Sequence, residues 1–156
     1  MTSTLTTRRY PKYARSPAAR PDLAKIAESS HRKKTVALII DSDADFRYIL
    51  TQMLAPLGYH VVATDNVAEA HRLAARTAPA LIVTDLRTGL HDTRVIPDEL
   101  RRVPTLAGTP MIVCSAWPYP DDRAIAQSLG ADLFMTVPVD FRAIRELAAQ
   151  LISGLV

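Results

Sequence analysis

No lysine follows Lys34 in this chain of 156 residues. An acidic site further along is therefore without a lysine partner from its own domain, which weighs against chemistry that requires one there. The single cysteine, Cys114, cannot form an internal disulfide, which fits a reducing, cytoplasmic setting. Inside the apolar run MIVCS it reads as a small buried hydrophobe and not as a reactive thiol. No apolar stretch approaches the roughly 20 residues of a membrane-spanning helix, and the first residues lack the apolar core expected of a secretory signal. The four histidines, His31, His60, His71 and His91, show no ligand spacing and read as surface residues. No internal repeat is present.

What is there divides unevenly. Residues 1–34 hold nine Lys/Arg against Asp22 and Glu28, and residues 35–156 carry a net charge of −4. The high pI thus belongs to the first segment and the remainder is mildly acidic. With Pro11, Pro17 and Pro21, many charges and little aliphatic content, residues 1–34 are expected to be a disordered basic arm. A short helix could start at Pro21 and Asp22. A solvated tail is the favoured reading; an organelle transit peptide is the alternative. Tyr10 and Tyr13 among the arginines suit an anionic surface, but a nucleic-acid role is not expected.

From Thr35 onward short apolar runs alternate with helical periodicity. Val36–Ile40, Val61–Ala63, Ala80–Val83, Met111–Cys114 and Leu133–Met135 are apolar on both faces, as strands covered on both sides must be. Phe46, Ile49, Leu50, Met53, Leu54 and Leu57 mark a first helix ended by Gly58. A second covers about Val67–Arg76 behind the candidate caps Asp65 and Asn66. A third lies around Val95–Arg102, trimmed by Pro97, and a fourth runs from near Asp121 to Gly130. Phe141, Ile144, Leu147, Leu151 and Ile152 mark the last. Five strands alternating with five helices give an α/β, doubly wound parallel sheet.

Asp41, Asp85 and Ser115 each stand at the end of an apolar run, in VALIID, LIVTD and MIVCS. In parallel strands these ends share the carboxyl edge of the sheet, where open α/β folds bind ligands. Two carboxylates at one edge can hold a divalent cation through hard oxygen ligands, and a carboxylate beside such an ion can attack phosphorus. A single strand-end Asp is more simply a loop or helix cap; the three together, in order, favour a site.

The segments VALIIDSDADFRYIL, GYHVVATDNVAEA, PALIVTDLRTG, TPMIVCSAW and LGADLFMTVPVD resemble, in order and spacing, the receiver domain of bacterial two-component response regulators. The resemblance covers residues 35–156. It implies a flavodoxin-like five-stranded sheet of strand order 2-1-3-4-5 and a phosphoryl group received from a sensor histidine kinase or phosphotransfer protein. By the same resemblance, Asp85 is the phosphoacceptor, and Asp41, Asp85 and the backbone carbonyl of Arg87 hold Mg²⁺. Ser115 and Phe134 are the switch pair, and Pro138 is the cis-proline.

Two positions depart from the family pattern. Ser42 replaces an acid, and Val137 replaces the lysine before the proline. Asp43 is expected to cap the next helix and not to replace the lost acid, because adjacent extended residues face opposite ways. Both losses remove charge complementarity where phosphoryl transfer depends on it, so Mg²⁺ is expected to bind weakly. Trp117 and Tyr119 flank Pro118 on the face that receivers use for partners and homodimers, formed by the fourth helix, fifth strand and fifth helix; an exposed aromatic pair can anchor a partner there.

Two readings follow. One is a stand-alone receiver, not an enzyme, relaying signals through Asp85, since no output domain follows within the chain. The other is a pseudo-receiver, which docks a partner without phosphorylation. A remote third is a haloacid-dehalogenase-type phosphatase, suggested by DSD at 41–43 and opposed by the missing downstream lysine.

Overall fold

The computed structural model describes residues 6–7, 34–87, 96–116 and 119–154. Five strands run parallel: β2 (Val36–Ile40), β3 (His60–Thr64), β4 (Leu81–Asp85), β5 (Met111–Ser115) and β6 (Leu133–Thr136). Their order, β3-β2-β4-β5-β6, is the expected 2-1-3-4-5 of a doubly wound sheet counted from β2. A two-residue strand, β1 (Thr6–Thr7), adds antiparallel to the free edge of β6, with Thr6 opposite Phe134 and Thr7 opposite Leu133. The rest of the segment expected to be a disordered arm, including the helix suggested at Pro21, lies outside the described residues.

The helices are α1 (Ala44–Leu54), α2 (Val67–Thr77), α3 (Ile96–Arg101), α4 (Asp122–Ser128) and α5 (Phe141–Gly154). The central strands β2 and β5 are buried at every residue, so their side chains alternate between two cores. Ala37 and Ile39 pack with Leu50 and Leu54 of α1 and Ile144, Leu147 and Leu151 of α5. Leu38 and Ile40 pack with Ala70 and Ala74 of α2, Leu100 of α3 and Ala126 of α4. The buried Tyr59 hydroxyl donates to the carbonyl of Ala148 in α5 at 2.9 Å, tying the turn before β3 to that helix. The edge strand β3 is only partly covered, as its exposed His60 and Ala63 show.

Helix boundaries follow local chemistry. The periodicity of α1 reaches Leu57, but the helix tightens into a 3₁₀ turn at Ala55–Leu57, because Pro56 has no N–H for the helical ladder. Gly58 then takes φ +102°, a left-handed stop that other residues adopt at a cost. Asn66, and not Asp65, caps α2 by accepting from the Glu69 N–H at 3.1 Å. Asp140 accepts from the N–H groups of Arg142 and Ala143 at the start of α5.

Candidate functional site

The strand register sets the site. Ile40 is paired with Thr84, so Asp41, one residue on, stands level with Asp85. Asp85 in turn pairs with Cys114, one residue before Ser115. Ser115 pairs with Thr136, and the Val137 N–H donates to the Ser115 carbonyl at 3.2 Å. The chain direction reverses its winding between β2 and β4, so these residues surround the switch point of the sheet. Asp41, Asp85, Cys114 and Ser115 line one cavity of about 310 Å³, together with Ser42, Asp43, Arg87, Tyr119 and Val137.

Burial first, and then the charge of Asp41, push the Asp85 carboxyl up to about 6, while the Leu86 and Arg87 N–H groups hold it down; Asp122 adds a smaller upward push. The Leu86 N–H donates to Asp85 Oδ1 at 2.6 Å. Asp41 is also raised, again by burial first, with the Asp43 N–H donating to its Oδ1 at 2.8 Å and opposing the rise. The Asp41 and Asp85 carboxylates thus face one cavity with too little positive charge to offset them. Oxygen-only ligands of this kind suit Mg²⁺, which binds through one or two carboxylates and keeps several waters. Asp41, Asp85 and the Arg87 carbonyl fit that description. No group of three or more His, Cys, Asp and Glu side chains arranged for a metal occurs among the described residues.

Asp43 has another role. Its Oδ1 accepts from the Asp45 and Phe46 N–H groups at 2.9 and 3.1 Å, capping α1. Cys114 is buried beneath the cavity, and burial followed by the charges of Asp41 and Asp85 pushes its thiol up, away from the reactive thiolate. The Val137–Pro138 peptide bond is cis. Val137 itself is 59% exposed, an apolar side chain at the mouth of an acidic pocket. Of the switch pair, Ser115 lines the cavity, whereas Phe134 is buried in the core against α2–α4, with the Arg123 guanidinium 5.4 Å from its ring centroid.

A cluster that sequence reasoning did not find sits on the far wall. The Arg87 guanidinium is 2.7 Å from Asp122 Oδ1 and lies over the Tyr119 ring, 5.3 Å from its centroid. The Tyr119 N–H donates to Asp122 Oδ2 at 2.9 Å. Tyr119 is 56% exposed and Asp122 is fully buried. Trp117, the other half of the expected aromatic pair, and Pro118 lie outside the described residues, as do His31 and His91.

Residues 37–149 match the response regulator receiver domain family model. The chain belongs to that family. The receiver is similar to an uncharacterized 14.6 kDa protein of Leptolyngbya boryana, at 32% identity over 103 residues, 66% of this chain and 79% of the relative. It is also 32% identical over 106 residues to a probable transcriptional regulator of Porphyridium aerugineum, covering 68% of this chain but only 43% of the relative. Among solved structures it resembles the signal receiver domain of a DNA-binding response regulator from Colwellia psychrerythraea, with a TM-score of 0.67 and 24% identity, covering 76% of this chain and 98% of that one. That last likeness concerns the fold. The receiver is a two-component signalling domain, and no helix among its described residues is long and apolar enough to cross a membrane.

Proposed function

We propose that this receiver accepts a phosphoryl group on Asp85 from a sensor histidine kinase or phosphotransfer protein and reports it by protein contact. The observation that carries the reading is the meeting of Asp41, Asp85 and Ser115 in one cavity at the switch point of the sheet. An Asp85 oxygen forms the new bond to phosphorus while the donor's bond to phosphorus breaks, its electrons leaving with the donor. Ser115 hydrogen-bonds the phosphoryl group, and Asp41 opposite keeps the carboxyl edge acidic. Mg²⁺ held by Asp41, Asp85 and the Arg87 carbonyl would supply positive charge against the phosphoryl oxygens. In this reading the domain is a cytoplasmic acceptor and not an enzyme, with a downstream protein, or a second copy of the chain, docking on the face formed by α4, β6 and α5.

The second reading, a pseudo-receiver that docks its partner unmodified, is favoured by Ser42 and by the exposed Val137 at the lysine position. Adding beryllofluoride with Mg²⁺ while recording backbone amide NMR spectra separates the two. Phosphoacceptance predicts shifts at Ser115, Ala116 and Tyr119 that vanish in Asp85→Asn. Unchanged spectra from a folded domain support the pseudo-receiver.

A further inference from the structure

The pocket lacks the lysine of its family, yet it does not lack a cation. Arg87 is the one basic side chain among the described residues lining the cavity. Its side chain is 22% exposed, and its Nε is buried with no hydrogen-bond partner among the described residues. A guanidinium carries five N–H donors in a planar fork, and here one arm is engaged by Asp122 while Nε is idle. An idle buried donor beside an acidic pocket is an expensive arrangement unless an acceptor arrives there.

We propose that Arg87 is the phosphoryl-binding cation of this pocket, in place of the absent lysine, and that Asp122 holds it in reserve. This rests on Asp85 being the acceptor. In the unmodified domain, Arg87 compensates the fully buried Asp122 and stacks on Tyr119. When Asp85 carries a phosphoryl group, its oxygens offer the guanidinium a more highly charged anion, matched to its fork. Arg87 then divides its donors between the phosphoryl oxygens and Asp122, or leaves Asp122 altogether. Asp122 retains the Tyr119 N–H, but a buried carboxylate that loses its counter-ion is costly, so the loop at Tyr119 must adjust. The occupancy of Asp85 thereby reaches an exposed aromatic on the partner face through three contacting side chains. Asp122 acts here as a positioning residue, working through Arg87.

Acetyl phosphate with Mg²⁺ provides the test, with intact mass followed over time. Transfer forms the bond from an Asp85 oxygen to phosphorus and breaks the bond from phosphorus to the acetyl carboxylate, and acetate departs with the electron pair. The full chain is compared with Arg87→Ala, Arg87→Gln, Arg87→Lys and Asp122→Asn, with Asp85→Asn as the blank and thermal melts confirming folding. The expected result is a loss of about tenfold or more in rate for Arg87→Ala and Arg87→Gln, partial recovery in Arg87→Lys, and a rate above the parent in Asp122→Asn. Recovery by lysine separates a cation acting on the phosphoryl group from a merely structural arginine. An adduct in Asp122→Asn but not in the parent also supports the proposal, showing that the holder restrains Arg87. Parent-like rates in folded Arg87→Ala or Arg87→Gln overturn it and leave Asp85 as acceptor. No adduct in either the parent or Asp122→Asn overturns it together with the acceptor reading.

Discussion

Asp41 stands level with Asp85 across the β2–β4 pair, and its negative charge is second only to burial in raising the Asp85 carboxyl to about 6. The acidic edge is therefore a place where folding works against ionisation. A cation or an added proton relieves it.

That relation sets a pH dependence. A carboxyl whose folded pKa is raised holds its proton more tightly in the native state, so this group lowers stability as pH rises from about 4 to about 6. Asp85→Asn removes the penalty. In metal-free buffer above pH 6 the variant should be more stable by about 1–2 kcal/mol, a value softened by solvent at the pocket mouth, or roughly 3–6 °C in melting temperature. The gain should vanish near pH 4. Melts across this range check it; a gain that persists unchanged at pH 4 would contradict it.

Restoring the family charges should strengthen the site. Ser42→Asp adds an acid beside Asp41, and Val137→Lys adds a cation at an exposed position, where no core packing is lost. Together they should tighten Mg²⁺ binding and raise the phosphorylation rate by about tenfold or more, equivalent to about 1.4 kcal/mol or more. Mg²⁺ titration by fluorescence of the single tryptophan reads the first effect and intact mass reads the second. No gain in either would show that the cavity is closed to the ion for another reason.

Asp43 separates capping from metal binding. Asp43→Ala should cost about 1 kcal/mol of stability through loss of the α1 cap, with Mg²⁺ affinity changed less than about twofold, since 1.4 kcal/mol would be needed for tenfold. A large fall in affinity measured by the same titration would place Asp43 among the ligands.

How far the site was legible depends on how local its signals are. Asp41, Asp85 and Ser115 each end an apolar run, and parallel pairing brings run ends to one edge, so their meeting could be read directly. Asp43 as a cap was equally legible, because the N–H groups that donate to it lie within three residues. The Arg87–Asp122 pair joins residues 35 apart, and nothing local shows that Asp122, not its neighbour Asp121, turns inward. Arg87 drew notice only for its backbone carbonyl, although an arginine two residues beyond the acceptor in a lysine-free domain was the available clue. The β1 pairing is equally non-local: two threonines in a polar, basic segment carry no apolar pattern to predict an edge strand.

Arg101 shows the same limit for stability. Its guanidinium donates to the carbonyls of Leu106, Thr109, Leu129 and Gly130, tying α3 to the turns before β5 and β6. Burial lowers its pKa and the charge of Asp132 opposes this. Arg101→Ala should cost about 3 kcal/mol by leaving several carbonyls unpaired. Arg101→Lys should recover little of it, since a single ammonium cannot span acceptors on both sides. Denaturant melts of the two variants check this; a lysine variant as stable as the parent would show that charge alone suffices.

The most direct test of the central claim is intact-protein mass after incubation with a small phosphodonor and Mg²⁺, beside an Asp85→Asn control. The account predicts one added phosphoryl group on the parent and none on the control. No mass gain in the folded parent or in folded Asp122→Asn, or a control that gains the same mass, would contradict Asp85 as the acceptor.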